Sequence, residues 1–189
     1  MSSEARQVAV LCAARNSVYH ALPGVEVYDA ARDARTFAGG MPIIAHPPCR
    51  AWSKYTRHQA KPEPGEAELG LWCCEKLREC GGVLEQPTHS LLWDAAGLPV
   101  PGRFHGADLW SMEVWQAWWG YPTKKTTWLA FCGVEPSDVH PQYRLHPRGG
   151  DQRRFELMSK NQRSATNQVF ARWLVDLARK SRVAVESDK

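Results

Sequence analysis

The chain has 189 residues, 43% of them apolar and 23% charged, with a formal net charge of +4 and a mean hydropathy of -0.46. That is the size and balance of one globular domain with its own core, and it excludes a disordered polyelectrolyte or a coiled coil. No apolar run reaches the roughly 18–20 residues of a membrane span, and Met1–Arg6 lacks a secretory opening, so a cytoplasmic protein with no membrane partner is expected.

In chain order, short β-rich runs alternate with helical patterns, as in an α/β protein built on a Rossmann-like, mainly parallel sheet with flanking helices. Strands are expected at Val8–Ala13, Val25–Asp29, Met41–His46, Gly82–Glu85 and Thr126–Phe131. Between the third and fourth, Leu69, Cys73, Leu77 and Cys80 recur at helical spacing over Glu66–Cys80, and Gly81-Gly82 ends the run as a C-cap would. Ser111 is placed to cap a helix carrying Val114, Trp115, Trp118 and Trp119, stopped by Gly120 and Pro122. In the last helix, from about Thr166 to Lys180, Val169, Phe170, Trp173, Leu174, Leu177 and Ala178 make one apolar stripe. Residues 94–110 and 132–165 read as long loops. A single domain over residues 1–183 is expected, with 184–189 as a disordered tail.

The six cysteines show neither a CxxC pair nor zinc-module spacing, so reduced thiols and no metal are expected, with Cys73 and Cys74 in the core. Charge is uneven. Residues 141–189 hold 11 Lys/Arg against 5 Asp/Glu, a net +6, whereas residues 1–140 carry a net -2. Arg144, Arg148, Arg153, Arg154, Lys160 and Arg163 lie within the later stretch, and a basic loop of this kind suits phosphates.

In open α/β sheets the chemistry lies beyond the carboxyl ends of the strands, where strand order reverses. The third strand runs into His46-Pro47-Pro48, whose prolines fix the backbone so that Cys49 projects from a stiff turn. The fourth delivers Glu85 ahead of Gln86-Pro87, and the 36-residue separation from Cys49 accommodates a loop and one crossover helix. The thiol and the carboxylate can therefore be neighbours.

Pro47-Pro48-Cys49-Arg50-Ala51-Trp52-Ser53 resembles the Pro-Pro-Cys-x-x-x-Ser catalytic loop of cytosine carbon-5 DNA methyltransferases, and Glu85-Gln86-Pro87 resembles their Glu-Asn-Pro motif. A compact, phage-type member is what the likeness suggests. It implies that the Cys49 thiolate adds to carbon 6 of the pyrimidine, that Glu85 acts at ring nitrogen 3, and that carbon 5 then takes a methyl group from S-adenosylmethionine. An aromatic pyrimidine becomes a carbon nucleophile only once a soft thiolate saturates its 5,6 bond and an acid neutralises the developing charge.

The resemblance also places Ser53 in the catalytic group, and Pro48, Arg50 and Trp52 against the substrate. Lys124-Lys125-Thr126 resembles the basic strand after the glutamate motif, and Arg153 and Arg154 would grip phosphates. The family's glycine-rich first loop is replaced by Leu11-Cys12-Ala13-Ala14-Arg15-Asn16-Ser17. Ala13, Asn16 and Asp29, with Asn167 in Ala165-Thr166-Asn167-Gln168-Val169, are the expected cofactor contacts. Only residues 132–165 stand where the family carries a recognition domain, which implies low sequence selectivity. Two alternatives stay open: a pyrimidine nucleotide or DNA base modified with a tetrahydrofolate-type one-carbon donor, and a nonenzymatic DNA-binding relative.

Overall fold

The computed structural model describes residues 5–54, 59–102, 108–139, 157–159, 162–163 and 165–183. Six strands form one sheet: β1 Val8–Leu11, β2 Val25–Val27, β3 Ile43–Ala45, β4 Gly82–Pro87, β5 Leu109–Trp115 and β6 Thr126–Cys132. Their order is β2-β1-β3-β4-β6-β5. The first four are mutually parallel, and β6 then runs antiparallel to both β4 and β5. The architecture is α/β, and a Rossmann-like arrangement is compatible with it.

Alternation along the strands supplies both faces of the sheet. Val8, Val10, Ile44, Val83 and Phe131 pack on one side with Phe170, Leu174 and Ala178, while Ala9, Leu11, Ile43, Ala45 and Leu84 pack on the other with Cys73 and Leu77. The first set belongs to helix α3, Gln168–Arg179, and the second to helix α1, Glu66–Cys80. β1 is fully buried along Val8–Leu11, which explains its unbroken apolar run. Helix α1 has the expected limits, and its last turn closes where Gly81, at φ 70°, donates its N–H to Leu77.

Three strands are shorter than expected at their carboxyl ends. β1 stops because Cys12 turns into the left-handed region at φ 61°. β2 ends at Val27, and β3 ends at Ala45, ahead of the proline pair. The expected helix from Ser111 is not formed. Ser111 lies inside β5, which pairs with β6 from Leu109↔Cys132 to Trp115↔Thr126, and only Gln116–Trp119 coil, as a 3-10 turn. Trp, Val and Met in this run satisfy a half-buried strand. The loop expected over 94–110 is interrupted at both ends, by the short helix α2, Leu92–Ala95, and by β5. The basic Arg153 and Arg154, and the tail 184–189, lie outside the described residues. Among the described residues no helix is long and apolar enough to cross a membrane.

Candidate active site

The parallel register of β3 and β4 matches Ala45 with Leu84, so the next pair in line is His46 and Glu85. Beyond His46 the chain turns through Pro47-Pro48 and leaves Cys49 exposed. Four contacts hold this turn. Gln86, 1% exposed, donates its side-chain amide to the Pro47 carbonyl. Leu91 N–H donates to the Trp52 carbonyl at 2.8 Å. Arg50 donates Nε to Glu66 Oε2 at 3.1 Å and pairs with Glu63 at 3.5 Å. The glutamine of Glu85-Gln86-Pro87 therefore fastens the thiol-bearing loop to the strand that bears the acid.

Both Glu85 oxygens have partners. Oε2 lies 3.1 Å from His46 Nδ1, and Oε1 accepts from Gln116 Nε2 at 3.2 Å. Gln116 also donates to Thr127 Oγ1 at 3.0 Å. Burial pushes the Glu85 pKa up, but the His46 hydrogen bond and charge, the Lys125 ammonium and the Thr127 hydroxyl together hold it below the ordinary carboxylate value. Cys49 feels this carboxylate. Desolvation by the surrounding protein and the Glu85 charge push the thiol above its ordinary value, so it rests protonated at neutral pH. Lys125 lies in the same field: burial lowers its pKa, against the opposing pull of Glu85 and Cys49.

The structure thus brings Cys49, Glu85 and Lys125 into one electrostatic neighbourhood, with Pro48, Arg50, Trp52 and Ser53 on the same loop. Arg50 is engaged with Glu66 and Glu63 on α1 and the turn before it, and Trp52 packs its indole against Gly70 of α1. Lys125 Nζ donates to the Ala165 carbonyl at 3.0 Å, and Lys124 lies 3.8 Å over the Trp115 ring. Thr126 opens β6, and its carbonyl accepts from Thr88 N–H at 3.4 Å.

The expected cofactor residues are more dispersed. Ala13 is buried and donates its N–H to Tyr28 O at 2.9 Å, while Asn16 stands exposed at the tip of the first loop. Asp29 Oδ1 accepts from Ala31 N at 2.7 Å and Arg32 N at 3.3 Å, and Oδ2 lies 3.4 Å from His20. The Ala31 bond leads in holding this carboxyl below its usual value. Asn167 caps α3, its Oδ1 accepting from Val169 N at 2.7 Å and Phe170 N at 3.4 Å.

Sequence reasoning missed His46, Tyr19, Gln116 and Thr127 as site residues. The strand register carries the signal for His46, because it follows β3 in line with Glu85. Gln116 and Thr127 depend on β5 being a strand, and nothing in the local sequence marks Tyr19. A cleft of about 530 Å³ is lined by neither Cys49 nor Glu85 but by His89, Val100, Ser111, Met112, Glu113 and Trp128 among others. Comparison of the chain with known protein families, curated proteins and solved structures finds no match.

Proposed function

We propose that the protein modifies carbon 5 of cytosine in DNA through a covalent adduct between Cys49 and carbon 6. The observation that carries this reading is an exposed thiol on the loop after β3 and an ionised, partly exposed carboxylate on the neighbouring parallel strand β4. In the adduct step the S–H bond breaks, sulfur bonds carbon 6, the 5,6 π pair moves into the 4,5 bond, the 3,4 π pair moves onto nitrogen 3, and nitrogen 3 gains the proton. The thiol rests protonated, so a base must take its hydrogen as the substrate docks, and Glu85 is placed to receive it and pass it to nitrogen 3. Lys125, whose ammonium interacts electrostatically with both groups, offsets the negative charge carried through the step.

S-adenosylmethionine would supply the electrophilic methyl group that carbon 5 attacks. The residues present fit it in part. Cys12 adopts the left-handed turn that a glycine takes in such a loop, and Ala13 and Asn16 follow it. Asp29 Oδ1 and Asn167 Oδ1, by contrast, already serve their own backbone, and Asp29 Oδ2 faces His20. That commitment favours a second reading, in which a pyrimidine nucleotide is modified with a one-carbon group carried on tetrahydrofolate.

An oligonucleotide containing 2-pyrimidinone, which accepts a thiol at carbon 6 without a methyl donor, tests the adduct. The wild-type protein is expected to give a denaturant-stable complex that Cys49→Ser abolishes. DNA binding without any such complex would leave a nonenzymatic binding protein. Calorimetry with S-adenosylmethionine and with a reduced folate separates the two donor readings.

A further inference from the structure

We propose that His46, braced from behind by Tyr19, is the positioning residue that fixes the Glu85 carboxylate for its role at the pyrimidine ring. The inference rests on the adduct reading above. Its geometry comes from three parts of the fold. His46 directly follows β3, Glu85 lies in β4, and Tyr19 belongs to the 3-10 turn Val18–Ala21 that follows β1. Tyr19 is 1% exposed, and its hydroxyl lies 3.0 Å from His46 Nε2 while Nδ1 faces Glu85 Oε2 at 3.1 Å. The two side chains of the pair are 13% and 16% exposed, so the arm is largely buried but keeps some contact with solvent.

The tautomer follows from the partners. An ionised carboxylate only accepts, so Nδ1 carries a hydrogen toward Glu85. Nε2 meets a phenol hydroxyl, which can donate to a neutral imidazole or accept from an imidazolium. The arm therefore keeps both contacts in either charge state, and Glu85 keeps its orientation as protons pass. The charged and titratable groups that face this arm are Glu85 itself, Lys125 from the start of β6, Cys49 on the loop and Tyr19. Among the described residues, His46 is the group that bonds directly to the oxygen of Glu85 not taken by Gln116.

The test is the pH profile of adduct formation with the 2-pyrimidinone oligonucleotide for wild type, His46→Asn, His46→Ala and Tyr19→Phe. Asn places an amide donor where Nδ1 stood but carries no charge. His46→Asn is expected to slow adduct formation by about tenfold and His46→Ala by about a hundredfold, with the acid limb moved to higher pH by about one unit in both and DNA affinity unchanged. Tyr19→Phe, which preserves the buried ring, is expected to give a smaller shift in the same direction. Folded His46→Asn and Tyr19→Phe proteins with the wild-type profile would overturn the proposal while leaving the adduct reading intact. A wild-type protein that binds the oligonucleotide and forms no adduct would overturn both.

Discussion

The guanidinium of Arg50, one residue after the thiol, closes on the carboxylate of Glu66, the first residue of α1. Glu66 is nearly buried, with a side chain 10% exposed, whereas Arg50 is 37% exposed. Removing the arginine leaves an acid facing mainly the Glu63 N–H, at 3.1 Å. Arg50→Ala is expected to cost about 1–2 kcal/mol, less than a fully buried pair would, and to slow adduct formation by loosening the loop. Urea unfolding measures the first effect. Arg50→Lys, which restores the charge without the planar fork, should recover only part of the rate.

Trp52 gives a sharper distinction between packing and substrate contact. Its indole N–H is buried without a protein partner, against the backbone of Gly70. Trp52→Phe removes that orphaned donor, so its effect on stability is expected to stay within about 1 kcal/mol, while Trp52→Ala costs about 3–5 kcal/mol. If Trp52→Phe instead keeps stability and loses oligonucleotide affinity by tenfold or more, measured by fluorescence anisotropy, the ring touches a base.

Asn167 can be separated in the same manner. Its Oδ1 caps α3, so Asn167→Ala is expected to lower stability by about 1 kcal/mol and Asn167→Ser to restore it. Loss of S-adenosylmethionine binding in a fully stable Asn167→Ser protein would assign the remaining amide nitrogen to the donor.

Alkaline stability should report the buried thiols. Burial pushes Cys74 from 9.0 up to about 12, with Arg78 and Glu75 as lesser influences. A thiol held neutral in the fold contributes stability that is complete below its unfolded value and disappears as pH climbs toward the folded one. Between pH 9 and about 12 the loss from Cys74 is expected to reach up to about 4 kcal/mol. Urea midpoints under reducing conditions should fall across that window, and less steeply in Cys74→Ala. Glu85 has the opposite sign: its depressed pKa contributes stability above the ordinary carboxylate value that fades as pH drops below it.

Much of the sheet was legible in the sequence because buried parallel strands leave apolar runs, as in Val8–Leu11, and because glycines close α1 where its periodicity stops. The closeness of Cys49 and Glu85 was legible for a related reason, since proline marks both strand ends. β5 was not, because Trp115, Trp118 and Trp119 fall at helical spacing although the first sits in a strand and the others in a 3-10 turn. His46 and Tyr19 escaped because their roles depend on a contact across 27 residues, which no local pattern encodes.

Gly82 opens β4 at φ 119°, and a methyl group there would stand 2.0 Å from the Ile43 carbonyl at the start of β3. Nothing larger than hydrogen lets these two strands draw level. The gap between sulfur and carboxylate is thus gauged at the far rim of the sheet, where no reacting atom is found. A lesion there would shift the thiol of Cys49 relative to the carboxylate of Glu85 while every side chain around the two stayed the same.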